Sequence, residues 1–305
     1  MLEMDRKLPR RSLRILDGVQ EMALSARSVD AEIRSRRDLS SLERTSSLDM
    51  ITMPMGPPLE MESMKLLDNP RVPSAVERAA SDTDMLASEG IVELGSGGVP
   101  LEHITRLLSA GLLGDDHRRR LVPTRWSITA VDDTLSRSLI TKVMEQGPMD
   151  SFQLFRGDAF GNHFLIALYP PPFRFEMEEQ WQKGSLWGEG DIIADWEGPL
   201  GRTDYASAIT GAYYAARIAV AEHLLSVRRC AGATVIRWIT DEYWAPLGVW
   251  VIREAVRDAL SHPPDVLPDR PSLVKRIDDL SGIVRWKERS RFLSGMSDTV
   301  LEQFI

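Results

Sequence analysis

The densest run of chemistry-bearing residues is RRRLVPTRWSITAVDDT, residues 118–134. Arg118, Arg119, Arg120 and Arg125 surround Trp126 in sequence, a pattern suited to phosphate contact with a base stacked on the indole. Asp132 and Asp133 follow, and paired carboxylates can supply oxygen ligands to a divalent cation in phosphodiester hydrolysis. The plainer reading is a joining strand with Trp126 and Ile128 packed inward and the arginines in water. Adjacent aspartates most often cap a helix, and on a strand they would point to opposite faces. A second acidic group, GEGDIIADWEGPLGRTDY at 188–205, holds Glu189, Asp191, Asp195, Glu197 and Asp204. With the earlier pair it could surround Mg²⁺, although glycine and carboxylates also make ordinary solvated turns. Asp132, Asp133 and Asp195 are the catalytic candidates, and Mg²⁺ is the cofactor that such a hydrolase would take.

Further along, Arg202 precedes a helix that carries Tyr213, Tyr214 and Arg217. The start of that helix could seat a phosphate, or the tyrosines could fill a helix–sheet interface. Glu222 and His223 share the helix, but no Ser/His/Asp or Cys/His set can be assembled around them. Arg253 and Arg257 are expected on the exposed face of a helix that follows a tight turn between Trp244 and Trp250.

These residues must be positioned by two unlike halves. Residues 1–120 contain no Phe, Tyr or Trp, whereas every aromatic lies later. The first region reads as helical: LEHITRLLSAGLL (101–113) repeats apolar residues at helical spacing, and PMGPP (54–58) and GSGG (95–98) punctuate. Arg34 to Ser47 reads as an exposed helix or linker. From Leu121 the chain is expected to begin extended and turn helical after Asp132 or Asp133. FQLFRGDAFGNHFLIALYPPPFRFEMEEQW then reads as strands with a turn at Gly157–Asn162. SAITGAYYAARIAVAEHLLSVRRC is the clearest helix, ATVIRWITDEY a strand, and the last forty residues helical and polar. The fold class is therefore α+β: a helical N-terminal region (1–120) packed on a mostly antiparallel sheet with flanking helices (121–290), then a C-terminal tail (291–305).

Composition narrows the partners. The net charge of −8 draws the chain neither to nucleic acid nor to an anionic membrane as a whole, so any DNA contact needs a local basic patch. The one cysteine, Cys230, excludes an intramolecular disulfide and every multi-cysteine zinc site, so zinc is not expected. The opening MLEMDRKLPRRSLRILDG lacks an apolar core of the signal-peptide kind, and no run of about 18 apolar residues could span a bilayer. The expectation is a cytoplasmic protein without a membrane partner.

Several long motifs in fixed order carry a resemblance. LVPTRWSITAVDDT, GAYYAARIAVAEHL and EYWAPLGVWVIREAVRDAL, with MGPPLEMESMKLLDNPRVPSAVERAASDTDMLASEGI and LLSAGLLGDDHRRRLVPTRW upstream, strongly resemble the archaeal Nre family of DNA-repair proteins. The resemblance implies a part in the response to DNA damage. It also implies binding of the sliding clamp, PCNA, by a peptide at the extreme C-terminus. On the end SDTVLEQFI, Asp298 takes the position of the pattern's glutamine, Leu301 that of its aliphatic residue, and Phe304 and Ile305 the final bulky pair. Asp298 cannot donate as glutamine does, and Ile305 brings a terminal carboxylate. Many members carry a four-cysteine zinc motif near the N-terminus. Here RKLPRRSLRILDG has none, so that function does not carry over, and Arg6, Lys7, Arg10, Arg11 and Arg14 remain as a short basic arm. The leading expectation is a clamp-associated repair factor at the nucleoid. The alternative is a metal-dependent nucleic-acid or nucleotide hydrolase built on 118–134 and 188–205.

Overall fold

The structure is a computed structural model that describes residues 10–35, 60–182, 190–244, 247–283 and 285–294. The chain divides into two compact units, residues 1–135 and 136–305.

The first unit begins with α1 (Arg10–Leu24), a two-stranded antiparallel ribbon of β1 (Ala31–Ser35) and β2 (Met61–Leu66), then α2 (Ser74–Ser81), α3 (Ala87–Ser96) and α4 (Leu101–Ser109). The ribbon corrects the expectation of a purely helical region, because Arg34 and Ser35 are extended; residues 36–47 lie outside the described residues. α4 buries His103, Ile104, Leu107 and Leu108, the three-and-four spacing of one helical face. They pack in a core with Val76, Ile91 and Leu94. GSGG ends α3 as expected: Val99 N–H donates back to the Leu94 carbonyl, and Gly98 takes φ +77°.

α5 (Thr124–Met144) crosses the division between the units. The segment read as extended, 124–129, is its first turn and a half. Pro123 disfavours helix before itself but not after, and its carbonyl accepts from Trp126 and Ser127 N–H to start the helix. The buried positions Ser127, Val131 and Leu135 then recur every fourth residue, as a helix places one face, and Trp126 is left outside at 50% exposure instead of packed inward.

The second unit is built on a six-stranded sheet. Its strands are β4 (Phe152–Ala159), β5 (Asn162–Tyr169), β6 (Phe175–Trp181), β7 (Ile192–Glu197), β9 (Gly232–Ile239) and β10 (Asp265–Leu267), in the order β10-β4-β5-β9-β6-β7. All pairs are antiparallel except β6 with β9. Two short strands, β3 (Gly147–Pro148) and β8 (Arg229–Cys230), pair apart from it. The fold is α+β.

Helices α6 (Gly211–Ser226) and α7 (Trp250–Ser261) cover one face. Tyr213 meets Phe175 edge-on at 5.0 Å, and Gly157 lets β4 come so close to α7 that a Cβ there would stand 2.7 Å from the Ala259 methyl. α8 (Arg270–Leu280) and the segment after it cover the other face through Leu273, Ile277, Ile283, Trp286, Phe292 and Leu293, which close over Leu154, Leu165, Tyr169 and Ile236. Here the chain departs from the expectation of a helical, polar end. After α8, among the described residues, only a 3-10 turn at Trp286–Glu288 is helical, and every few residues an apolar side chain is driven into the sheet. We call residues 281–294 the strap.

Candidate functional site

The arginine cluster is divided in its roles. Arg119 spends its guanidinium on three carbonyls, those of Gly114 (2.7 Å), Ala80 (2.7 Å) and Asp82, and so ties the chain after α4 to the loop after α2. Arg118 lies 3.7 Å from Asp115 on the surface, and Arg120 and Arg125 are exposed beside it in sequence. In α5, Asp132 is buried and Asp133 half-buried.

Two members of the acidic group of 188–205, Asp195 and Glu197, are taken up in internal ion pairs. Asp195 accepts on one oxygen from both Arg202 Nη atoms at 3.2 Å, and on the other from Ala208 N–H (2.9 Å) and Ile209 N–H (2.8 Å). The turn that leads into α6 is indeed an anion seat, but Asp195 fills it. Glu197 pairs with Arg217 at 2.7 Å, and the same guanidinium donates twice to Ser136 Oγ (3.1 and 2.9 Å). Glu179 pairs with Arg237 at 2.6 Å, with Asn162 accepting beside it. The Glu197–Arg217 and Glu179–Arg237 pairs are buried, and Asp195 is buried against a half-buried Arg202, so each carboxylate needs its partner. Tyr213 and Tyr214 fill the helix–sheet interface. Arg253 is buried on α7, which corrects the expectation of an exposed face; Arg257 makes a two-pronged bond to Glu222 at 2.7 and 2.8 Å. His223 is held below the usual histidine range by burial and lies edge-on to Phe155. Asp204 is exposed, and Glu189 lies outside the described residues. Among the described residues, no three His, Cys, Asp or Glu side chains stand together as a metal site. No helix among them is long and apolar enough to cross a membrane.

The open chemistry of the second unit lies where the parallel pair β6 and β9 ends. There a cleft of about 620 Å³ is lined by Gln180, Gln182, Asp191, Trp238, Thr240 and Gly282. The crevice beyond the carboxyl ends of parallel strands is where open sheets commonly leave room for a ligand. Trp238 is half-buried and stacked on His163 (5.2 Å, 16° between planes), and Gly282 must be glycine-sized because a Cβ would come within 2.5 Å of the indole nitrogen. Among the described residues, no cation lines this cleft.

Gly282 is also the second residue of the strap. From there it crosses the sheet face, and its far end is fixed by Glu176 on β6. That carboxylate accepts from Ser290 Oγ (2.8 Å), Thr234 Oγ1 (3.2 Å) and the backbone N–H groups of Arg291 and Phe292. Two residues on and on the same face, Glu178 is fully buried, and neither of its oxygens has a hydrogen-bond partner. Burial, and then the neighbouring Glu176 charge, push its pKa up to about 9. Glu178 is therefore a neutral acid in the fold at pH 7. The strap's outward side chains are cationic: Arg285, Lys287, Arg289 and Arg291, against one acid, Glu288. Arg291 lies 3.6 Å over the ring of Trp196, which is 41% exposed.

Comparison with known proteins now bears on the whole chain. Residues 3–188 match the family model "Archaeal Nre, N-terminal" and residues 197–304 match "Archaeal Nre, C-terminal". The chain belongs to the archaeal Nre family. Its similar relatives are proteins named DNA repair protein NreA from Haloferax volcanii, 40% identical over 245 residues, and from Archaeoglobus fulgidus, 39% identical over 253. These matches cover 79% and 82% of this chain but only 58% and 63% of the two relatives. DNA repair protein NreB of Archaeoglobus fulgidus is 35% identical over 293 residues, 94% of this chain and 73% of that protein. No solved structure matches significantly. Both Nre models run through the sheet of the second unit, the first across β4–β6 and the second across β9 and β10, starting at the last residue of β7.

For this Nre chain, sequence reading singled out Asp195 and missed the strap and the cleft. The signal available for the strap was RWKERSRFL, cations alternating with apolar anchors just before the C-terminal peptide. The cleft left none, because its residues come from four separate segments.

Proposed function

We propose that this Nre chain is a DNA-repair factor recruited to the DNA sliding clamp, PCNA, through its C-terminal peptide. The repair role is supported by kinship with proteins named DNA repair protein NreA and NreB. Recruitment is supported by the final sequence. Asp298, Leu301, Phe304 and Ile305 lie outside the described residues, and what carries the reading is the root that precedes them. Phe292 and Leu293 are buried, and Glu176 grips the backbone at Arg291 and Phe292. The last eleven residues thus follow an anchored point, as a recruiting peptide requires. A short helical turn puts residues three apart on one side, so Leu301 and Phe304 enter one apolar pocket of the clamp together.

Calorimetry against the cognate clamp tests this. The full chain should bind, and a chain without residues 298–305 should not. Replacing Leu301 and Phe304 with alanine should weaken binding on the order of a hundredfold or more, from about 1.5–3 kcal/mol per buried side chain. Equal affinity of full and truncated chains would overturn the recruitment reading.

A further inference from the structure

We propose that the strap and the cleft at its start form a seat for single-stranded nucleic acid, with one unpaired base in the cleft and the adjoining phosphates along the strap. The inference deepens the DNA-repair reading and is independent of the clamp.

Two observations carry it. The strap concentrates four cations and one anion within residues 282–294 of a chain whose net charge is −8. They are held outward because the alternate residues Ile283, Trp286, Ser290 and Phe292 are buried. Arg285 and Lys287 are partly neutralised by Glu288 and Asp278. Arg289 and Arg291 are exposed, and neither guanidinium forms an ion pair among the described residues. Arg291 instead lies over the ring of Trp196, which gives a planar cation and an indole together on the surface, the pairing that stacks a base and meets its phosphate.

The cleft supplies the complement. Among the described residues it is lined by no cation and by the Asp191 carboxylate, which suits a neutral group better than a phosphate. It does have an indole, Trp238, with amides at Gln180 and Gln182, a hydroxyl at Thr240 and a carboxylate at Asp191. Those groups fit a neutral planar ring with donors and acceptors on its edge, which describes a nucleobase taken out of its stack. The distances agree. Gln180 lines the cleft and Glu176 grips the far end of the strap, and four residues of strand separate the two by about 13 Å. One short stretch of a single strand can therefore use both. A duplex cannot, because its bases are paired and their edges are turned inward. An acidic peptide would follow the cations but would have nothing to place in the cleft.

The test uses the full chain without clamp and three fluorescein-labelled probes of equal charge: oligothymidylate, the same strand with its bases removed, and a duplex of half that length. Anisotropy should show oligothymidylate binding at least fivefold more tightly than the base-free strand, since one stacked base contributes roughly 1–3 kcal/mol. Replacing Arg289 and Arg291 with alanine should weaken binding and reduce the slope of log affinity against log salt by about 1 to 1.5, from roughly 0.7 per phosphate on a single strand. Both side chains are exposed, so thermal stability serves as the control that folding is intact. Equal affinity for the base-free strand would overturn the seat in the cleft. An unchanged salt slope in the double variant would overturn the path along the strap. Preference for the duplex would overturn the proposal as a whole. A protein that passes here yet fails against the clamp keeps this seat and loses only the recruitment reading.

Discussion

Replacing Glu178 with glutamine should stabilise the second unit at neutral pH, because the native side chain has to take up a proton to fold. In the unfolded chain the carboxyl titrates near 4.5, and in the fold its pKa is pushed up to about 9. Between those values the folded state holds one more proton than the unfolded state, so stability falls as pH rises, by about 1.4 kcal/mol per pH unit. From 4.5 to 7 that amounts to roughly 3 kcal/mol, an upper figure because the site can relax. Glutamine has nearly the same shape and no proton to lose, so Glu178→Gln removes this cost. The variant should match the parent near pH 4.5, gain about 3 kcal/mol by pH 7, and continue to gain toward pH 9. Denaturant unfolding at a series of pH values, followed by tryptophan fluorescence, reads the correct unit, since seven of the eight tryptophans lie after residue 136. Parallel pH profiles for parent and variant would refute the reasoning, because they would mean that water or a partner group reaches the carboxylate.

Arg217→Met should cost about 3–5 kcal/mol, because it leaves Glu197 buried and uncompensated; adding Glu197→Leu should restore most of the loss, and chemical denaturation of the single and double variants decides. Gly232→Ala should destabilise the sheet by about 1–3 kcal/mol, since overpacking forces the neighbour to shift, and here the new methyl would stand 2.2 Å from a ring atom of buried Tyr169. His103 is held below the usual histidine range, first by burial and then by Arg106, and its Nε2 lies 3.0 Å from the Ala23 carbonyl. Its neutral form is the folded one, so the first unit should lose stability as pH falls below about 6.5, where the unfolded histidine gains its proton. His103→Gln should flatten that loss in amide hydrogen exchange followed on α4.

The sequence by itself determined the elements whose pattern is local. NHFLIALY is apolar without interruption because β5 is covered on both faces, and the alanine-rich run around Tyr213 is helical and almost wholly buried. The family was legible too, because long motifs in a fixed order need no knowledge of contacts. Tertiary structure decided what each charge does. Asp195 looks like a metal ligand in sequence and is instead the anion that fills its own helix seat, since only the fold brings Arg202, Ala208 and Ile209 to it. Thr124–Thr129 carries β-branched residues that suggest a strand, yet burial of Ser127, Val131 and Leu135 at fourth-residue spacing favours helix, because burial outweighs a propensity of a few tenths of a kcal/mol per residue. RWKERSRFL reads as a polar helix until Glu176, more than a hundred residues earlier, is seen to hold its end. Periodicity records which face of an element is buried. It does not record which distant group a carboxylate will meet, because that depends on how strands far apart in sequence are ordered in the sheet.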